Sequence, residues 1–188
     1  MCENNHAGGA GTVVITNPTM VQGTGGWMSG LISTSPIPEV IDRIEEHGGV
    51  VFDRVTACLD PLGGASLAQK MGFSRIAVPI SDPDRAEIIR TNNPDALLFG
   101  VHMSGITENG AQRIVAVSDP VTGCASKIVG MLAGKKASLQ VGAIIPIFAL
   151  TLRGKDLIMK WILEANEKFS PIPFRLPVVC NRQPEPLI

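Results

Sequence analysis

Short apolar runs alternate along this chain with longer stretches whose apolar residues recur every three or four positions. The short runs are rich in β-branched residues and are typical of buried strands, whereas the longer stretches are typical of amphipathic helices. The predicted strands cover residues 12–16, 50–52, 75–80, 96–101, 121–123 and 138–141. The predicted helices cover residues 36–47, 62–71, 82–90, 107–117, 125–132 and 154–166.

This alternation predicts an α/β fold with a single domain over residues 1–169. We expect a mostly parallel sheet of about six strands with helices on both faces, in a Rossmann-like three-layer arrangement. Residues 170–188 contain five prolines and few helix formers, and they predict a Pro-rich C-terminal tail. Because the tail also carries apolar residues, we expect it to lie against this subunit or against a neighbour.

Residue types that favour helix starts precede several of the predicted helices. Ser35 is the expected N-cap of the first helix, with Pro36 at its first position. Asp82 is the expected cap of the third helix. On the last predicted helix, the expected buried face consists of Leu157, Ile158, Trp161 and Ile162.

Composition restricts the class of partner. The formal net charge of −1 gives no electrostatic footprint for nucleic acid or for an acidic membrane. Aromatic residues are sparse and tyrosine is absent, which argues against a platform for stacked bases. No signal peptide is visible, and the longest apolar run, residues 139–152, is shorter than the ~20 residues that span a bilayer. We therefore expect a cytoplasmic protein that binds neither nucleic acid nor membrane.

A glycine-rich loop, residues 22–38, is the most distinctive segment of the chain. Free backbone amides before a helix, with hydroxyl groups beside them, suit an anionic ligand. The loop is neither a Walker A loop nor a dinucleotide fingerprint, and a flexible connection is the alternative. The predicted ligand-binding residues of this loop are Gln22, Gly23, Thr24, Gly25, Gly26, Ser29, Ser33 and Thr34.

Further candidate residues follow two predicted strands. Ligands of open parallel sheets bind beyond the carboxyl ends of the strands. His102 and Ser104 follow one apolar strand, and Cys124, Ser126 and Lys127 follow the next. We expect these residues to gather on one rim together with the glycine-rich loop.

Three of these side chains could carry chemistry. Cys124 opens a helix near Lys127, and both features lower the pKa of a thiol, so it could be a nucleophile or a metal ligand. The alternative is a small buried residue at a strand–helix corner. His102 could be a general base, a ligand or a hydrogen-bonded rim histidine. Lys127 and Arg153 are the best candidates to contact an anion.

The cysteines suggest no disulfide framework. Cys2, Cys58, Cys124 and Cys180 are far apart, and no CxxC pair or paired-histidine spacing supports a zinc site. A cluster held by Cys2, Cys58 and Cys124 stays open as a hypothesis.

Several ordered blocks of sequence carry a family resemblance. They are GAGTVV from residue 9, VQG from 21, GG from 25, SG from 29, TSPIPEVI from 34, FGVH from 99, CASK from 124, LQVG from 139 and PIFALT from 146. In these blocks, which span most of residues 9–167, the chain resembles the archaeal methanogenesis marker protein 8 family. The resemblance implies an unknown biochemical function that accompanies methanogenesis genes, with a role in assembling or maintaining methyl-coenzyme M reductase or one of its cofactors. It implies no catalytic residue, and it implies that other members extend further at the N-terminus.

Three hypotheses for function follow. The first is a protein that binds an anionic small molecule or cofactor precursor. If it is an enzyme, Cys124 would be the thiolate, Lys127 its charge partner and His102 the acid–base group. The second is a non-catalytic assembly partner, or a homo-oligomer, that makes contacts through the loop and the C-terminal tail. The third is a cysteine-ligated iron–sulfur protein. The residues identify no cofactor.

Overall fold

A computed structural model describes residues 2–17, 19–20, 33–123, 126–142, 144–164 and 175–178. Strands and helices alternate over these residues, so the fold is mixed α/β. The chain divides into two compact units. Unit 1 is Met1–Pro79 with Ile88–Ala96, and unit 2 is Ile80–Glu87 with Leu97–Ile188.

Unit 1 has strands in the order β3-β2-β1-β4. Its strands are β1 (Cys2–Ala7), β2 (Gly11–Ile15), β3 (Val50–Val51) and β4 (Ile76–Ile80), whose last residue belongs to unit 2. Its helices are α1 (Pro38–Glu46) and α2 (Pro61–Lys70). β2 is antiparallel to both β1 and β3, and β1 is parallel to β4.

The polar strand β1 is absent from the sequence-based prediction. Cys2 and Asn4 on this strand are nevertheless buried, at 2% and 1% exposure. The Asn4 side-chain amide donates to the carbonyl of Pro61 at 2.7 Å, so α2 satisfies part of its polarity. A Cβ at Gly64 would lie 2.2 Å from Asn4 Oδ1, so a glycine at this position is what lets the amide fit beneath α2.

The start of α1 corrects one prediction. The helix begins at Pro38, with Ile37 as its N-cap and without a side-chain cap bond. Ser35 and Pro36 therefore lie before the helix. The N–H of Ile37 donates to the carbonyl of Gly9 at 2.8 Å, which joins this segment to the β1–β2 turn.

Unit 2 has strands in the order β5-β6-β8-β7. Its strands are β5 (Leu97–Gly100), β6 (Pro120–Thr122), β7 (Leu139–Val141) and β8 (Ile147–Ala149). Its helices are α4 (Glu108–Val117), α5 (Lys127–Lys136) and α6 (Leu152–Glu164). The remaining helix α3 (Pro83–Asn92) begins in unit 2 and ends in unit 1.

The strand directions correct the expected mostly parallel sheet. β5 and β6 are parallel, but β8 is antiparallel to both β6 and β7. The chain reverses direction between β7 and β8 through a short turn, whereas a parallel neighbour would need a long crossover. The described strand pairs are mixed in direction and do not confirm a Rossmann-like arrangement.

Side-chain caps begin the helices of unit 2. The Thr107 hydroxyl accepts from the N–H of Gly110 at 3.2 Å at the start of α4. Asp82 Oδ1 accepts from the N–H of Arg85 at 3.1 Å at the start of α3, which confirms the predicted cap.

A buried carboxylate joins the amino ends of several elements of unit 2. Asp119 is 0% exposed. Its Oδ2 accepts from the N–H of Leu98 at 3.0 Å, and its Oδ1 accepts from the Thr151 hydroxyl at 2.7 Å. Arg153 Nε lies 3.5 Å from Oδ1. Asp119 thus links β5, the start of β6 and the start of α6.

Candidate functional site

The carboxyl ends of neighbouring strands meet at one edge of unit 2. Gly100 of β5 lies opposite Val121 of β6, and the Thr122 hydroxyl donates to the Gly100 carbonyl at 3.4 Å. The N–H of Val101 donates to the carbonyl of Ile80 at 3.0 Å, which brings the end of β4 to the same edge. We call this region the carboxyl edge; its described residues are 81–82, 101–105, 123 and 126–127.

His102 has an unusual backbone at this edge. Its φ is 54°, in the left-handed region that residues other than glycine seldom adopt. Such conformations cost free energy and tend to occur at functional sites. The side chain is exposed, and partial desolvation lowers the pKa of the imidazole below its usual value of about 6.5. The lowered pKa favours the neutral imidazole at pH 7, in which one nitrogen donates and the other accepts a hydrogen bond.

Exposed polar groups accompany His102. Ser104 is exposed, and Gly105 has a φ of 73° with no heavy atom within 4 Å of the position that a Cβ would take there. A hydroxyl group and an imidazole are thus available to a ligand within three residues of chain.

The start of α5 contributes the other half of the edge. Ser126 is 7% exposed and caps α5, because its Oγ accepts from the N–H of Val129 at 3.4 Å. The Ser126 hydroxyl therefore has a structural role, and its predicted role in ligand binding stays a prediction. Lys127 is the first residue of α5 and is exposed, so its cation can reach solvent beside the helix N-terminus.

A turn between β7 and β8 borders the carboxyl edge. The N–H of Gly123 donates to the carbonyl of Pro146 at 2.7 Å, and the N–H of Ser126 donates to the carbonyl of Gly123 at 3.1 Å. Gly142, where β7 ends, has a φ of 77°. The backbone before α5 is therefore held by the residues that precede β8.

The glycine-rich loop belongs to unit 1, and most of its predicted ligand residues lie outside the described residues: Gln22, Gly23, Thr24, Gly25, Gly26 and Ser29. Ser33 is exposed. The Thr34 hydroxyl accepts from the N–H of Gly9 at 2.8 Å, so it already holds the β1–β2 turn. The single rim that would join this loop to His102 stays a prediction.

The cysteines separate into different environments. Cys2 is buried, and burial raises the pKa of its thiol, so it is a poor nucleophile. The carbonyl of Cys58 accepts from the N–H of Thr12 on β2. Thr12 lies opposite His6, which is four residues from Cys2 on β1. Both Cys2 and Cys58 are free thiols in the structure.

Cys124 and Cys180 lie outside the described residues. Within the part of the chain that the structure describes, no group of three or more His, Cys, Asp or Glu side chains could hold a metal ion. The iron–sulfur hypothesis stays a prediction, without support from the geometry of Cys2 and Cys58.

A second candidate surface lies along α6. Gly154 and Ile158 of α6 are buried. At Gly154 the helix lies so close to the Asp119 backbone that a Cβ there would be 2.4 Å from the Asp119 carbonyl oxygen. Ile158 confirms part of the predicted buried face. Leu157 and Trp161, however, are 36% and 52% exposed, because the close contact is narrow. They border an apolar cavity of about 280 Å³, which is lined by Phe99, Pro120, Val141, Ile147, Leu157, Ile158 and Trp161.

Two other outcomes concern charged and amide side chains. Arg153, a predicted anion ligand, lies instead beside the chain's own Asp119 carboxylate. Sequence reasoning did not identify Asp119 or Gln140 as important. The sequence does mark Asp119, because it is an isolated acidic residue in the largely apolar residues 114–121. Nothing in the sequence around Gln140 indicates its role.

The described helices include none long and apolar enough to cross a bilayer. The protein has a mixed α/β fold, with a candidate site where the parallel strands β5 and β6 end. The chain belongs to DUF2099, a family of uncharacterized proteins conserved in archaea, which it matches over residues 5–163.

One relative is the uncharacterized protein MJ0054 of Methanocaldococcus jannaschii. It is 38% identical over 182 residues, a match that covers 95% of this chain and 64% of the relative. The chain thus spans about two thirds of the length of that relative. No solved structure matches the chain.

Proposed function

We propose that this protein binds an anionic small molecule, or the anionic group of a cofactor precursor, at the carboxyl edge of unit 2. The observation that carries this proposal is the parallel β5–β6 pair, which puts the segments of His102 and Lys127 at the same edge. The backbone amides at the start of α5, the Lys127 cation and the neutral His102 imidazole would together donate to an anion.

The biological setting of this activity is also a proposal. The family resemblance noted above and a relative from a methanogen both favour a role linked to methanogenesis. We propose that the ligand belongs to the maturation of methyl-coenzyme M reductase or of its cofactors, in the cytoplasm. If the bound molecule reacts, Cys124 would supply the thiolate and His102 would accept or return the proton.

Binding of inorganic phosphate tests the proposed site. Phosphate titrated into ¹⁵N-labelled protein at low salt should shift the amide resonances of Gly105, Gly123, Ser126 and Lys127. Lys127→Ala should weaken the binding about fivefold, because one cation near the helix N-terminus is lost.

Lys135→Ala is the matched control, because Lys135 lies in the last turn of the same helix. It should leave the phosphate affinity unchanged. Shifts that occur only outside the carboxyl edge, or equal losses of affinity in both variants, would contradict the proposed site.

A second candidate function is that of a non-catalytic assembly partner. Its support is α6, where Leu152 and Leu163 are 78% and 79% exposed and Met159 is 39% exposed. These three side chains share one flank of the helix at the helical period. We propose a second copy of this chain as the partner on that flank.

Self-association tests the second candidate. Replacing Leu152 and Leu163 by Lys should turn a dimer into a monomer in sedimentation velocity, because four cations would meet across the interface. Met131→Lys is the control, since Met131 is 56% exposed on α5 instead. A wild-type chain that is monomeric at high concentration would rule out this interface.

A further inference from the structure

The side chain of Gln140 connects a C-terminal segment to the body of unit 2. Gln140 lies on β7, the last strand in the order of unit 2. Its Nε2 donates to the carbonyl of Val178 at 2.8 Å, and its Oε1 accepts from the N–H of Val178 at 2.8 Å. One carboxamide therefore binds both backbone groups of Val178, as a neighbouring strand would.

A second contact seats the same segment. A Cβ at Gly134 of α5 would lie 2.5 Å from Pro177 Cβ, so Pro177 can pack against the helix only where the helix has a glycine. Pro177 and Val178 are thus held at two independent points, one on α5 and one on β7. Residues 175–178 are consequently part of unit 2 and not a solvated tail.

The Gln140 carboxamide also reaches toward the carboxyl edge. The same Nε2 donates to the carbonyl of Gly142 at 3.0 Å, so both of its hydrogens have acceptors. Gly142 opens the turn that ends at Pro146, and the Pro146 carbonyl accepts from the N–H of Gly123. Hydrogen bonds therefore lead from Val178 through Gln140 to Gly142, and from Pro146 to Gly123.

We propose that residues 175–178 act as a strap that, through Gln140, positions Gly142 and residues 144–146, and with them Gly123 and Ser126 at the binding edge. Gln140 is a positioning residue, because it touches the turn and not the ligand. The strap deepens the proposed function, because it would set the geometry of the same binding site. Its expected effect on ligand affinity rests on that proposed function. Its effect on the backbone does not depend on any ligand.

Amide hydrogen exchange of the Gly123 N–H tests the strap directly. Gln140→Ala removes the bonds to Val178 and Gly142, and Gly134→Ala displaces Pro177 while leaving Gln140 intact. Each should speed exchange at Gly123 about fivefold, which corresponds to the loss of one ordinary hydrogen bond. Gln112→Ala, at an exposed glutamine of α4, should change nothing.

A reference amide separates this local effect from global destabilisation. The N–H of Ser118, which donates to the Ile114 carbonyl, lies at the far end of β6 and should keep its exchange rate. Equal acceleration at Ser118 and Gly123, or an unchanged rate at Gly123 in both strap variants, would overturn the proposal.

Phosphate titration of the same variants separates the two proposals. We expect Gln140→Ala and Gly134→Ala to weaken phosphate binding about threefold to tenfold. Faster exchange at Gly123 in a chain that binds no phosphate would uphold the strap and refute the proposed function. Wild-type phosphate affinity with unchanged exchange would uphold the proposed function and refute the strap.

Discussion

Asp119→Ala should lower the free energy of unfolding by about 3–5 kcal/mol. The carboxylate is fully buried and accepts hydrogen bonds from the Leu98 N–H and the Thr151 hydroxyl. Alanine would leave these donors without their acceptor and would leave Arg153 without its buried counter-charge. Because domains are stable by only about 5–15 kcal/mol, this single change could remove much of the stability. Urea unfolding followed by far-UV circular dichroism measures it.

Arg153→Ala is the matched control for Asp119. The guanidinium is 45% exposed and contributes one partner to a partly solvated ion pair. Its loss leaves the buried carboxylate with its hydrogen-bond donors but without this counter-charge, and should cost about 1–3 kcal/mol. If Asp119→Ala were no more destabilising than Arg153→Ala, the carboxylate would not organise unit 2 in the way that its hydrogen bonds indicate.

Gly64→Ala should destabilise the protein by about 2–3 kcal/mol, even though alanine is the better helix former. A methyl group at this position of α2 would lie 2.2 Å from Asn4 Oδ1 and 2.5 Å from Thr12 Cγ2. Both neighbours are buried, so relief requires a shift of β1 or of α2. Overpacking of this kind costs about 1–3 kcal/mol, and displacement of Asn4 would also break its bond to Pro61.

Gly130→Ala provides a control of opposite sign. Gly130 lies inside α5, and no heavy atom lies within 4 Å of the position that its Cβ would take. The substitution should stabilise the protein by about 0.5–1 kcal/mol through helix propensity alone. Thermal unfolding of both variants should therefore give melting temperatures on opposite sides of the wild-type value. Destabilisation by both would mean that the close contact at Gly64 is not the cause.

The helices of this chain could be predicted well because their signals are local. Apolar spacing and a hydroxyl or carboxylate cap lie within a few residues of each helix start, as at Thr107 for α4 and Asp82 for α3. Ser35 failed as a cap because the N–H of Ile37 is bonded to Gly9, which is distant in sequence.

Strand β1 could not be predicted because its polarity is satisfied by remote groups. Asn4 binds a carbonyl 57 residues away, and nothing near Asn4 in the sequence indicates that contact. Strand direction failed for a similar reason. The pattern predicts a strand at β7 but none at β8. The antiparallel pairing of β8 with both β6 and β7 depends on the turn between β7 and β8 and on long-range register.

The candidate site was predictable only as a set of chain segments. The rule that ligands bind beyond parallel strand ends selects the segments after β5 and β6, and these two strands are parallel. That a ligand binds there stays a prediction. The rule could not separate hydroxyl groups that remain available from those that cap a helix or hold a turn. Ser126 and Thr34 have such structural roles, whereas Ser104 is exposed.

The three residues of β6 have a consequence for how this family can diverge. At its amino end Asp119 accepts hydrogen bonds from β5 and from the start of α6, and at its carboxyl end Gly123 begins the segment that leads to Lys127. If the carboxyl edge binds a ligand as proposed, substitutions that change its preference can accumulate at one end while the other end preserves the fold. The binding segment could then change without a prior gain of stability elsewhere.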